Sequence, residues 1–314
     1  MKNKKYVITG GAGFIGSGLV RVIQERDPDA QIAVIDNLNT GHSKNLEGLE
    51  RPVDFHQLDI RDYPAIAPVI SGADTVVHLA AIPSVPKSII EPIPSHDVNI
   101  NGTFSVLRAA KEGGVRRVVY AASSSAYGDT EVLPKVESMK AIPKSPYALQ
   151  KLVGEYYCNI FTTCFGLETI GLRFFNVYGP RQDPNSPYSG VLSLFMKHLI
   201  ARTAPMIHGD GEQTRDFTYV EDVADLVIKA GTAGTPGTTY NAGNGGRYSL
   251  NSIWNSLQTI EGVHIEPQYG PSRAGDVRDS QADTTAAVHD LGHDPKFTLE
   301  EGLRRTLAWY KLAS

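Results

Sequence analysis

Little in this sequence marks a secreted, membrane-spanning or metal-held protein. Its 314 residues include two cysteines, Cys158 and Cys164. They lie in a segment of helical periodicity, badly spaced for a bridge, and one bridge could not staple a chain this long. A reducing, cytoplasmic setting is expected. Long apolar runs are missing too: after the basic residues 1–5 only Tyr6-Val7-Ile8 precedes a glycine-rich turn, too short for a signal peptide or a membrane span. Neither sign of charge dominates. The formal net charge of −4 gives no global electrostatic reason to expect nucleic acid, so any anion site must be local. The nine histidines show no H-x-x-x-H or Cys/His ligand spacing, and no metal site is read. Repeats, low-complexity tracts and flexible linkers are also lacking.

What is present is the composition of an ordinary soluble protein, 41% hydrophobic and 20% charged, with enough chain for a large core. Short β-rich runs at 6–9, 31–36, 53–58, 75–78 and 117–121 alternate with helix-length stretches. A helix over about 146–165 and an apolar run at 169–175 follow. Such alternation predicts an α/β fold, a Rossmann-type doubly wound parallel sheet. After residue 176 the pattern loosens into loops and short helices, which predicts a smaller C-terminal α/β lobe facing the ligand. The regular, amphipathic stretch 216–230 is expected to return to the main domain. The division expected is 1–175 plus about 216–232 for the sheet domain, with about 176–215 and 233–314 for the lobe.

Gly10-Gly11-Ala12-Gly13-Phe14-Ile15-Gly16 directly follows a β-run and opens a helical pattern. Glycines allow a sharp turn and close approach of backbone to a pyrophosphate, which the helix N-terminal amides then meet. The spacing is G-x-x-G-x-x-G, and its weight comes from the strand before and the helix after it. Asp36 ends the second β-run, where a carboxylate accepts from both ribose hydroxyls and repels a 2′-phosphate, favouring NAD over NADP. Asp59, after the third run, is an adenine-edge candidate, with an ordinary loop aspartate nearly as good a reading.

In Ser145-Pro146-Tyr147-Ala148-Leu149-Gln150-Lys151, Pro146 suits a first helical turn and Tyr147 and Lys151 share one face. An adjacent ammonium and a positive nicotinamide both favour phenolate, so the Tyr147 pKa is expected to fall towards neutrality, fitting it as a general base. Ser123-Ser124-Ser125 lies just beyond the fifth β-run, at the carboxyl end of a strand where ligands of doubly wound sheets bind. Ser123, Tyr147 and Lys151 then form a proton-handling set.

On these residues the chain resembles the extended short-chain dehydrogenases/reductases, and within them the UDP-hexose 4-epimerases. The likeness runs through 10–17, 36–37, 78–88, 99–103, 123–129, 145–151, 172–184, 209–223 and 273–283. It implies Ser123, Tyr147 and Lys151 as catalytic residues and a tightly bound NAD. The cofactor would be held by Gly10, Gly13, Phe14, Ile15, Gly16, Asp36, Asn37, Asn39, Thr40 and Gly41 on the adenosine and pyrophosphate side. Asp59, Ile60, Leu79, Ala80, Ala81, Asn99, Ala121, Tyr147, Lys151 and Phe174 would complete its groove. Tyr147 would take the proton of the sugar 4-hydroxyl as hydride moves to the nicotinamide, Ser123 would hold the same oxygen, and the 4-keto sugar would turn over before hydride returns. Related 4,6-dehydratases carry an acidic pair after the serine or threonine. Here Ser124 and Ser125 stand there, which argues against dehydration.

For a UDP group the resemblance implies Asn176, Arg215 and Arg273 on the diphosphate, Asp276 on the ribose and 206–208, including Met206 and His208, along the uracil. Ser84, Ser123, Ser124, Tyr147, Gly190, Val191 and Ser280 would face the sugar. Where relatives restricted to UDP-glucose and UDP-galactose have a bulky tyrosine, this chain has Ser280, and Gly190 is small as well. The likeness is greatest to the branch that prefers UDP-N-acetylglucosamine and UDP-N-acetylgalactosamine. UDP-glucose is the alternative, and UDP-glucuronate a lesser one if Ser84, Lys87 or Ser88 supplies a donor for its carboxylate. A cofactor-sensing protein on the same fold would not need Tyr147 and Lys151. A generic dehydrogenase would exchange its cofactor rather than reuse it. A homodimer is implied by resemblance, through the segment 95–111 and the helix bearing Tyr147.

Overall fold

A computed structural model describes residues 4–184, 190–272 and 277–313. Six strands alternate with helices in the first part of the chain: β1 (Lys5–Thr9), β2 (Gln31–Ile35), β3 (Asp54–His56), β4 (Thr75–His78), β5 (Arg117–Ser123) and β6 (Glu168–Phe174). The helices are α1 (Phe14–Arg26), α2 (Tyr63–Ile70), α3 (Val85–Ile90), α4 (Pro92–His96), α5 (Thr103–Glu112) and α6 (Pro146–Phe165). Then come β7 (Asn176–Tyr178), α7 (Val191–Ile200), β8 (Met206–His208), β9 (Thr214–Arg215), β10 (Phe217–Tyr219) and α8 (Val220–Ala230). The chain ends with β11 (Thr238–Ala242), β12 (Tyr248–Ser249), α9 (Leu250–Glu261), β13 (Gln268–Gly270), α10 (Thr285–Leu291) and α11 (Leu299–Ala313).

Seven strands form one parallel sheet in the order β11-β6-β5-β4-β1-β2-β3. β1 and β4 are buried on both faces, as their unbroken apolar runs require of a sheet covered on each side. Ile8, Val34 and Val119 pack under α1, α8 and α10, and Val7, Val76 and Val118 under α2, α5 and α6. A third core, around Phe195, Trp254, Leu303 and Tyr310, holds the lobe together. Val223, Leu226 and Val227 of α8 pack in the same core as Leu19, Val20 and Ile23 of α1. The expected boundary at 233 needs correction: β11 pairs with β6 in the main sheet, and Ala287 and Leu291 of α10 pack in the same core.

Three short sheets, β7 with β10, β9 with β12 and β8 with β13, shape the lobe. Between α4 and α5 the helix widens into a π turn, Asp97–Gly102. Among the described residues no helix is long and apolar enough to cross a membrane.

Candidate active site

A cleft of about 600 Å³ runs across the carboxyl ends of β1, β2, β4, β5 and β6, where the strand order reverses between β1 and β4. At its floor, β1 ends in a turn that only glycine can make. Gly10 has φ +72°, and a Cβ on Gly16 would stand 2.3 Å from the Gly10 carbonyl oxygen. The turn delivers the amide end of α1 to the cleft beside Gly13, Phe14 and Ile15. At the tip of β2, Asp36 Oδ2 accepts from the Ala12 amide at 3.0 Å and Oδ1 from Leu38 at 2.8 Å. Burial pushes this carboxyl up while those amides pull it down. Asn37, Asn39 and Thr40 line the cleft next to it, and Gly41 packs against the carboxylate, where a Cβ would come to 2.9 Å.

Asp59 and Ile60 line the same end. Asp59 is already engaged: Arg61 Nε donates to Oδ1 at 2.9 Å, Arg61 Nη2 to Oδ2 at 2.8 Å and Asn37 Nδ2 to Oδ2 at 2.9 Å, which holds its pKa at about 2. Leu79, Ala80, Ala81, Ala121 and Phe174 supply small or apolar walls. A glycine cradle, an acid at the tip of β2 and a flat apolar slot fit an NAD molecule. Asn99 is set back from the residues that line the cleft. It is buried in the π turn, where Oδ1 accepts from the Ile82 amide at 2.8 Å and Nδ2 donates to Gln150 Oε1 at 2.8 Å, tying the turn to α6.

The proton-handling groups converge over this groove. Ser145 caps α6, its Oγ accepting from Ala148 at 3.2 Å, and Pro146 fills the first turn, so Tyr147 is fixed at the cleft edge. Ser88 of α3 steadies it further, accepting from the Tyr147 amide at 3.1 Å. One turn on, Lys151 Nζ donates to the Ala121 carbonyl at 2.8 Å. Ser123 ends β5 with Oγ 2.8 Å from Ser125 Oγ, a partner that motif reading passed over.

Among the protein's own groups, burial dominates the Tyr147 phenol. Burial raises the phenol to about 12, and the Ser123 hydroxyl, as its hydrogen-bond partner, pulls the other way. Lys151 is lowered to about 8 by burial, with Glu155 opposing. The protein's own groups therefore keep Tyr147 neutral near pH 7. Beyond Lys151 on the same helix, Glu155 is buried in a two-pronged pair with Arg173 of β6, with Nε to Oε1 at 3.0 Å and Nη2 to Oε2 at 2.7 Å.

On the other side of the cleft stand Ser124, Asn176, Gly190, Arg215 and Ser280. Arg215 Nη1 donates to the Thr214 and Arg278 carbonyls at 2.9 and 3.1 Å, and the Ser280 amide donates to Thr214 O at 3.1 Å, so Arg215 and Ser280 lie side by side. Gly190 caps α7, whose first residue is Val191; a Cβ on Gly190 would sit 3.1 Å from Gln182 Nε2.

Several expected residues lie elsewhere. Ser84 caps α3, accepting from Lys87 at 3.1 Å, and does not line the cleft. Met206 and His208, on β8, are also outside its lining. Arg273 and Asp276 fall outside the described residues. Arg181 was missed as a cleft cation: at φ +70° it turns back so that Nε donates to Ser17 Oγ at 3.1 Å, beside the start of α1. Burial, with Arg21 close by, lowers it to about 10. No local pattern announces a contact that spans so much of the chain.

Proton-transfer groups set over a dinucleotide groove are the mark of the short-chain dehydrogenase/reductase class, and this fold and site place the molecule in it. Residues 6–243 match the NAD dependent epimerase/dehydratase family. The UDP-glucose 4-epimerase of Mycolicibacterium smegmatis is 36% identical over 310 residues, 97% of this chain and 98% of that protein. Among solved structures, the UDP-N-acetylglucosamine 4-epimerase from Methanobrevibacter ruminantium, in complex with UDP-N-acetylmuramic acid, has a TM-score of 0.95 at 34% identity, with 100% of both chains covered. The UDP-glucose 4-epimerase of Thermotoga maritima, with UDP-glucose, gives 0.93 at 35% identity over 98% of this chain and 99% of that one. The chain belongs to the NAD-dependent epimerase/dehydratase family.

Proposed function

We propose that this enzyme is a UDP-hexose 4-epimerase whose preferred pair is UDP-N-acetylglucosamine and UDP-N-acetylgalactosamine. The names of its relatives support epimerisation, and so does the absence of a carboxylate after Ser123, where Ser124 and Ser125 stand. Acidic side chains lining the cleft among the described residues are Asp36, Asp59 and Asp183, and none follows Ser123 in the turn beside Tyr147. NAD, when bound, accepts and returns hydride at C4 of the sugar. Tyr147 takes and gives back the 4-hydroxyl proton, Ser123 holds that oxygen, and Lys151 keeps the region positive. Epimerisation needs no second substrate, so the cofactor stays in place between turnovers.

The observation that carries the N-acetyl preference is the pair of small residues, Ser280 and Gly190, lining one cleft with Ser123 and Tyr147. Together they leave room for an acetamide. UDP-glucose is the second reading, favoured by the name of the Mycolicibacterium relative. For UDP-glucuronate, Ser88 Oγ already donates to Val85 O at 2.7 Å, while Ser84 Oγ accepts from Lys87 N at 3.1 Å and Lys87 Nζ lies 3.7 Å from Glu91.

The enzyme works as a cytoplasmic homodimer through α5 and α6. Val106, Leu107, Leu152 and Phe161 are internal core, but Phe104, Leu149, Tyr156 and Ile160 are exposed on these helices and form an outward apolar face.

Purified protein with no added NAD, given UDP-N-acetylglucosamine, UDP-glucose or UDP-glucuronate and read by proton NMR couplings at C4, tests the proposal. Interconversion of the N-acetyl sugar at least as fast as UDP-glucose is expected. Turnover of UDP-glucose alone would defeat the preference, and no epimerisation even with NAD supplied would defeat the activity.

A further inference from the structure

Lys135 is among the largest fully buried side chains, 1% exposed, and yet it lines the substrate side of the cleft. Its ammonium donates to the Gly128 carbonyl at 3.0 Å and stands 6.0 Å from the Tyr127 ring. An ammonium has three protons to share, and leaving them without acceptors in a buried place is costly. Among the described residues no carboxylate forms an ion pair with it; Asp129 and Asp279 favour its charge from farther off, while burial and Arg215 oppose it.

The backbone fixes where this side chain emerges. Lys135 N donates to Gln281 O at 2.8 Å, Asp283 N to Lys135 O at 2.9 Å and Asn241 Nδ2 to Lys135 O at 2.8 Å. Lys135 is thereby paired in parallel with Ala282. Through this bridge Lys135 is held against the segment that carries Ser280, two residues before Ala282. Lys135 and Ser280 both line the cleft that holds Ser123, Tyr147 and Arg215.

We propose that Lys135 is a specificity-determining residue whose ammonium donates a hydrogen bond to the acetamide carbonyl oxygen at C2 of the sugar. This rests on the N-acetyl reading of Ser280. Small residues there only remove an obstacle, whereas Lys135 gives the acetamide a positive partner.

The test compares kcat/KM for UDP-N-acetylglucosamine and UDP-glucose in the wild type and in Lys135→Met, a change that keeps side-chain length and removes the donor. The ratio of the two constants is expected to fall by about tenfold or more, the scale of a hydrogen bond to a charged group. An unchanged ratio, whether through equal losses or none, overturns the proposal. A second arm needs no variant: the wild type is given the N-trifluoroacetyl analogue, whose carbonyl is a poorer acceptor of similar shape. A severalfold drop relative to the N-acetyl sugar supports the hydrogen bond, and equal turnover refutes it. If the wild type does not epimerise the N-acetyl sugar at all, the substrate reading has failed and this inference goes with it. If it does and the ratio holds, this inference fails alone.

Discussion

Ser280 puts a small hydroxymethyl on the wall of the cleft that Tyr147 also lines. Its side chain is 6% exposed beside Arg215, so Ser280→Tyr fills sugar space rather than solvent. We expect kcat/KM for UDP-N-acetylglucosamine to fall by about tenfold or more while UDP-glucose changes by only about severalfold, since steric exclusion of one group is worth roughly 1–3 kcal/mol. Parallel losses with both sugars would show that the site tolerates either substituent. His78 makes a prediction of another kind. It is buried between Thr9 Oγ1, 2.7 Å from Nδ1, and Thr103 Oγ1, 3.0 Å from Nε2, and burial with Lys151 nearby lowers it to about 3. Between that value and the ordinary 6.5, the unfolded chain binds a proton that the native one refuses, so stability is full above 6.5 and declines as pH falls. From pH 6.5 to 5 the loss is about 2 kcal/mol from this residue. In urea titrations at pH 7 and pH 5, His78→Gln should narrow the difference by about that amount; an equal difference would exclude His78 as its source.

Single residues were legible in the sequence where chemistry forces the local backbone. Gly10, Gly13, Gly16, Asp36, Ser123, Tyr147 and Lys151, each singled out by its motif, all line one cleft. The charge state of Tyr147 was not legible, because burial and neighbours are properties of the fold. Arg181 and Lys135 escaped notice because each reaches the cleft only through pairing with distant segments.

At the scale of elements, the β1–α1 turn leaves no room for a side chain at Gly16. Gly16→Ala would drive a methyl group to 2.3 Å from the Gly10 carbonyl, a backbone atom that cannot step aside without moving the turn. Purified Gly16→Ala protein should contain much less NAD by ultraviolet absorbance and lose about 1–3 kcal/mol of stability, the usual cost of overpacking. Full NAD content would mean that the turn relaxes without harm. The span of α6 could be read because both ends are signposted: Ser145 and Pro146 at the start, and Gly166, left-handed at φ +71°, at the stop. No such signpost marks the π turn at Asp97–Gly102, so the bond by which Asn99 braces α6 could not be read beforehand. β11 was missed for a related reason. Thr238–Ala242 is a short run between loops, and only pairing with β6 makes it a sheet strand.

At the scale of the whole molecule, the outward face of α5 and α6 sets the expectation for assembly. Tyr156 is 62% exposed and Ile160 45%, so Tyr156→Arg with Ile160→Arg should cost the monomer little while placing charge in a subunit contact. Light scattering after gel filtration should then give one chain of 34.1 kDa where the wild type gives two. A monomeric wild type would remove the dimer from the proposal. The path of the chain carries one more consequence. It leaves the sheet after β6, comes back for α8 and β11, and departs again before α9. No single cut frees the sugar-facing part, so it cannot be traded between relatives as a cassette. New substrates have to be acquired by replacing side chains one at a time inside an intact scaffold.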